Sequence, residues 1–158
     1  VLLGKDLPAE SANTMRRQYM DDRLDQVALM PGVHAVLDRL DALGMPRAVA
    51  TSSRSANAMR KLQVSGLDTR IPIVVSSDLV AMGKPAPDIY LAAARRLNVA
   101  PGLCLAVEDA DDGVNAAYRA GMQVVMVPDL KAPSAASRSR ATIISSLHEL
   151  DAFPAMPT

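Results

Sequence analysis

Short apolar, β-branched runs alternate with segments of helical period along most of this chain, and that alternation favours βα units feeding a parallel sheet. The apolar runs fall at Arg47 to Ala50, Ile71 to Val75, Leu103 to Val107, Gln123 to Val127 and Thr142 to Ile144. Between them the pattern predicts helices over Val33 to Leu43, Ser55 to Val64, Asp88 to Leu97 and Asp112 to Ala120, with Gly44 and Gly121 as stops. Pro31-Gly32 breaks the chain ahead of the first of these helices and marks the start of the main domain at about residue 29. A final turn of helix is expected over Leu147 to Leu150, and Lys131 to Arg140, rich in Ser, Ala and Pro, reads as a surface loop.

Before that domain, residues 8 to 27 are polar and Arg-rich, with Pro8 suited to a first helical turn and Ala12, Met15, Tyr19 and Val27 forming a loose apolar stripe. A surface helix is expected there. With 158 residues, 49% of them apolar, the chain can bury one core. Lysine plus arginine equals aspartate plus glutamate at 17 each, so no net field draws the chain to nucleic acid or to an anionic membrane. No stretch has the length of a membrane span and residues 1 to 10 do not resemble a secretory leader, so the cytoplasm is the expected compartment. The single cysteine, Cys104, is read as a reduced core thiol.

The candidate site follows from where polar residues interrupt this pattern, because ligands of open parallel sheets bind at the carboxyl ends of the strands. Thr51-Ser52-Ser53, Lys84 and Glu108-Asp109 all fall at or just past such ends. A hydroxyl and the N–H groups beside it can bind phosphoryl oxygens, and a lysine offsets the charge of a transferring phosphoryl group. Adjacent carboxylates supply hard oxygen ligands suited to Mg2+. Taken singly, each has a plainer reading as a helix cap, a solvated loop charge or a complement to a helix dipole. Their order on successive βα units favours a site. His34 and His148 have no partner spacing and receive no role.

Met30-Pro31-Gly32-Val33, Ala48 to Ser53, Gly83-Lys84-Pro85-Ala86-Pro87-Asp88-Ile89-Tyr90 and Glu108-Asp109-Ala110-Asp111-Asp112-Gly113-Val114 together resemble the later signature segments of the haloacid-dehalogenase-like (HAD) hydrolase superfamily. Within it, the run Ala120 to Asp129 is similar to the helical-cap group that includes pseudouridine-5'-phosphatase and β-phosphoglucomutase. The resemblance implies a Rossmann-like α/β core over 29–158 and a remnant of a helical cap over 1–28. It implies that Thr51 hydrogen-bonds a phosphoryl oxygen, that Lys84 neutralises phosphoryl charge, that Ser52 and Ser53 touch substrate, and that Asp109 with Glu108 holds Mg2+ directly or through water. The implied activity is a Mg2+-dependent phosphatase of a small phosphorylated metabolite, a sugar phosphate or nucleotide, acting through an aspartyl-phosphate. The alternatives are a phosphoglucomutase-like isomerase and an inactive phosphate-binding fragment.

The family's nucleophile lies in an Asp-x-Asp-x-Thr segment on its first strand, and no such segment occurs in these 158 residues. In the family that strand lies between those expected at Arg47 to Ala50 and Leu103 to Val107. The sheet is therefore expected to be broken there, with two unpaired interior edges. The expected consequences are instability alone, a strand-swapped or fragment-complemented assembly, or membership of a longer protein, the last being favoured. Asp78 and Asp88, the carboxylates nearest Lys84 in sequence, are the next candidates for a nucleophile.

Overall fold

The computed structural model describes residues 27–152. The stretch 8–27 expected as a surface helix lies, apart from Val27, outside the described residues, as does nearly all of the segment 1–28 assigned to a cap. Five strands and five α-helices follow in the order α1 (Val33–Ala42), β1 (Ala48–Thr51), α2 (Ser55–Val64), β2 (Ile73–Ser76), α3 (Asp88–Leu97), β3 (Leu105–Glu108), α4 (Asp111–Arg119), β4 (Gln123–Met126), α5 (Ala135–Arg140) and β5 (Thr142–Ile143). The α/β alternation expected of the sequence is the architecture observed.

All pairings are parallel, and the strands form two sheets. One is β1 with β2, in the register Ala48 to Ile73 through Thr51 to Ser76; the other has the order β3, β4, β5. Among the described residues nothing pairs with the second edge of β1 or of β3. Among the described residues the strands therefore fall into two separate sheets, with β1 and β3 each at an edge.

Two faces of the broken sheet pack differently. On one, α3 and α4 share a single core: Ile89, Tyr90, Ala93, Val114, Ala116 and Ala117 are buried with Val75, Ala106, Val124 and Met126 from both sheets. Alanines at these positions let both helices lie close to the strands. On the other face the core is divided. Val125, Val127, Ile144 and Leu150 form one cluster, and Leu37, Leu62 and Leu67 another. Helix α1 reaches both, with Val36 against the first cluster and Val33 and Leu40 against the second. It begins at Gly32, whose φ of 93° favours glycine and where an added Cβ would stand 3.0 Å from Leu147 Cβ.

Three expectations need correction. The segment Lys131 to Arg140 is not all loop, because residues 135–140 form α5. Ser134 caps it by accepting from Ser137 N–H at 3.1 Å, and Ser137 is fully buried. Strands β1 and β3 begin and end a residue or two later than their apolar runs, which makes Thr51 and Glu108 the last residues of their strands. Cys104 is half-buried rather than a fully buried core thiol, and burial raises its thiol above the ordinary range.

Candidate phosphate-binding site

Lys84 joins the two sheets at the carboxyl ends of their facing strands. Its loop is tight, with Ala86 N–H donating to the Gly83 carbonyl at 3.0 Å and the Pro85 carbonyl held by Arg119 at 3.1 Å. From this loop Lys84 Nζ donates to the Ala50 carbonyl of β1 at 3.1 Å and pairs with Glu108 Oε1 of β3. Only 11% of the Lys84 side chain and 7% of the Glu108 side chain are exposed. Lys84 is therefore a buried cation with a specific carboxylate partner, which the plainer reading as a solvated loop charge does not fit.

Glu108 is fixed from three sides. Lys84 takes one, Tyr90 Oη donates to the same carboxylate oxygen, and the third is the start of α4, where an added Cβ at Gly113 would collide with the Glu108 carboxyl group. Gly113 is required here by a close approach, not by a special φ. The Tyr90 ring also lies beneath Lys84, with Nζ 5.1 Å from the ring centroid. Burial, and next the negative charge of Glu108, push the Tyr90 hydroxyl well above the ordinary phenol range, so it remains a donor. The roles of Tyr90 and Gly113 escaped the sequence reading, although both lie inside motifs it had singled out. Tyr90 falls two residues into a helix on its buried side, where an aromatic reads as packing.

Thr51 stands at the end of β1, beside Ala50 and so beside the lysine. Its Oγ1 accepts from Ser53 N–H at 3.1 Å, which leaves its own O–H to donate elsewhere. The plainer reading of Thr-Ser-Ser as a helix cap is not what the fold uses: α2 is preceded by Arg54, with no capping bond from its own side chain. Ser52 is exposed, and its N–H has no partner among the described residues. Ser53 is bound through its backbone on both sides, its N–H by Thr51 and its carbonyl by Ser77 N–H at 3.2 Å. The structure thus brings Thr51, Lys84 and Glu108 together at the break, with Ser52 on the adjoining turn.

Asp109 follows Glu108 out of β3, is exposed, and has no hydrogen-bond or ion-pair partner among the described residues. The next carboxylate, Asp111, is differently placed: its Oδ1 accepts from Ser134 N–H at 3.1 Å, from Ser134 Oγ at 3.0 Å and from Ser137 Oγ, which hold its carboxyl below the ordinary range. Asp111 therefore ties α5 to α4. Among the described residues no three His, Cys, Asp or Glu side chains meet as a metal site. The donor chemistry still fits Mg2+, which commonly keeps several waters and takes only one or two protein carboxylates beside a substrate phosphate. Of the two expected ligands Asp109 is open to solvent, whereas one oxygen of Glu108 is already shared by Lys84 and Tyr90.

The family model for haloacid dehalogenase-like hydrolases matches residues 3–127. The chain is 36% identical over 166 aligned positions to a bifunctional riboflavin kinase/FMN phosphatase of Arabidopsis thaliana, covering 94% of this chain and 44% of that protein. It is 39% identical over 125 positions to a probable pseudouridine-5'-phosphatase of Drosophila melanogaster, covering 75% of this chain and 54% of the relative. Among solved structures, a putative β-phosphoglucomutase from Thermotoga maritima superposes with a TM-score of 0.76 at 27% identity, covering 92% of this chain and 69% of that one. The chain spans about half the length of the two curated relatives. A family match that runs over most of its residues makes this chain a member of the haloacid dehalogenase-like hydrolases.

Proposed function

We propose that this chain forms the phosphate-binding part of a Mg2+-dependent phosphatase that acts on small phosphate monoesters, sugar phosphates or nucleotides. The observation that carries the reading is Lys84, buried across the break between β1 and β3 and within reach of both strand ends. A phosphoryl group beside it would accept the Thr51 O–H and the Ser52 N–H while the ammonium offsets its charge. The names of the relatives, an FMN phosphatase and a probable pseudouridine-5'-phosphatase, support a small phosphorylated substrate.

Mg2+ would be held by Asp109, with Glu108 directly or through water, and would supply charge stabilisation to the phosphoryl oxygens. The attack itself needs a carboxylate in line with phosphorus. Asp78 does not serve, because Ser55 engages both of its oxygens at 2.9–3.0 Å. We place the nucleophile on a further parallel strand in the break, contributed from outside these 158 residues. Its carboxylate oxygen would bond to phosphorus as the ester P–O bond breaks and the departing alcohol gains a proton. Water would then cleave the acyl-phosphate to inorganic phosphate and free carboxylate.

The test is to fuse a strand bearing Asp-x-Asp-x-Thr ahead of Val1 and measure hydrolysis of p-nitrophenyl phosphate with Mg2+. Turnover should emerge with the fusion and fall about a hundredfold on Lys84→Ala. Near-normal kcat in that variant would remove the proposed role of the lysine.

A further inference from the structure

We propose that Asp78 is a positioning residue for the phosphate-binding turn, fixing Thr51 and Ser52 by holding the first residue of α2 from the neighbouring loop. This rests on the phosphate site proposed above and adds to it a residue that does not touch the substrate. Asp78 lies in the short turn Ser77–Leu79 that follows β2. Its Oδ1 accepts from Ser55 N–H at 2.9 Å, and Ser55 Oγ donates to its two oxygens at 3.0 and 2.9 Å. Beneath this, Ser55 Oγ is 2.6 Å from Oγ of the fully buried Ser76, and Ser77 N–H and Oγ both donate to the Ser53 carbonyl, at 3.2 and 3.3 Å.

These bonds staple the turn after β1 to the end of β2 at Ser53 and Ser55. Helix α2 has no side-chain cap of its own, and Asp78 satisfies from another loop one of the N–H groups of its first turn that have no partner within the helix. The donors of the turn are thereby divided. Ser53 N–H goes to Thr51 and Ser55 N–H to Asp78, while the Thr51 O–H and the Ser52 and Arg54 N–H groups keep no partner among the described residues and are left for an anion near the strand end that Lys84 reaches. A carboxylate already at the start of α2 also repels a second anion from that helix end, so a phosphate is confined to the strand end. The hydroxyl of Ser76 nearby and the bonds from Ser55 hold the Asp78 carboxyl down to about 2, which keeps it an ionised acceptor throughout the neutral range.

The experiment titrates inorganic phosphate into the 158-residue chain while following amide exchange at Ser53 and Ser55 by NMR. Asp78→Ala should weaken phosphate binding roughly tenfold and speed exchange at both amides more than at core amides such as that of Val125, with a modest fall in melting temperature. Asp78→Asn retains a carbonyl acceptor and should recover binding to within about threefold of the parent, which a loss caused only by general destabilisation would not do. Parent-like binding in Asp78→Ala, or an equal loss in Asp78→Asn, overturns the proposal. Should Asp78→Ala not fold, Ser55→Ala, which removes the hydroxyl bonds to both Asp78 oxygens, takes its place, and unchanged binding there overturns it likewise. Lys84→Ala separates the two claims. If it loses phosphate while Asp78→Ala does not, positioning by Asp78 fails alone; if it binds phosphate like the parent, the pocket itself is misplaced and both readings fall.

Discussion

The two faces of the broken sheet show what the break costs. Under α3 and α4 the core runs unbroken from β2 to β4, so the two sheets share one buried face. Under α1 and α2 it is split into two clusters, and the residue between them is poorly covered. Val107 of β3 and Val125 of β4 are register partners, yet Val107 is 43% exposed and Val125 fully buried. Identical side chains on adjacent strands differ because, among the described residues, β4 has a strand on each side and β3 has one. Two helices hold the sheets together on one face; on the other, a further strand would have something left to bury.

The largest effect should come at the only ion pair that ties β3 to the Lys84 loop among the described residues. Removing Lys84 leaves Glu108 buried without its cation, and a buried charge stripped of its partner costs about 3–5 kcal/mol. Urea unfolding should show Lys84→Met destabilised on that scale, with Glu108→Gln added to it restoring most of the loss. A single variant as stable as the parent would mean that the pair does not join the two sheets.

Next in size is the valine pair. Val125→Ala should cost about 2–3 kcal/mol, as cavities in a closed core do, whereas Val107→Ala should stay within about 0.5 kcal/mol. Thermal or urea denaturation decides it. Equal losses would show that Val107 is covered by something beyond the described residues, and the contrast between the faces would dissolve.

Much of this was legible in the sequence. Helices α2 and α3 have the bounds that the apolar periodicity and the prolines predict, and the described strands are all parallel, as the βα alternation predicts. What the sequence could not show depends on residues that meet only in the fold. Nothing local marks Lys84 as buried, because its partner lies 24 positions away on another strand. Tyr90 owes its role to that same carboxylate 18 positions away, and Gly113, though near it in sequence, to the way the start of α4 folds back on it. Helix α5 was missed because Ser134 and Ser137 look like loop residues until Asp111, more than twenty positions earlier, gathers them.

That gathering separates two neighbouring aspartates. Asp109→Asn should weaken Mg2+ binding several-fold with little change in melting temperature, while Asp111→Asn should lower the melting temperature and leave Mg2+ affinity nearly unchanged. Isothermal titration beside a melting curve separates them, and equal effects on Mg2+ would withdraw Asp109 as a ligand.

The smallest effect concerns acid. The Asp78 carboxyl is held at about 2 in the fold against an ordinary 3.8, so its contribution is whole above about pH 4 and drains away as the pH falls toward 2. Asp78→Asn should flatten that part of the stability curve. An unchanged acid limb would show that the Ser55 clamp carries no stability.

The central claim is that these residues hold a phosphate site whose nucleophile lies elsewhere. It is tested most directly on a polypeptide verified by mass to comprise the 158 residues, given Mg2+ with inorganic phosphate in one assay and p-nitrophenyl phosphate in another. The account predicts that phosphate binds, that Thr51→Ala weakens this binding, and that no p-nitrophenol is released above background. Release of p-nitrophenol that Asp109→Asn abolishes would contradict it.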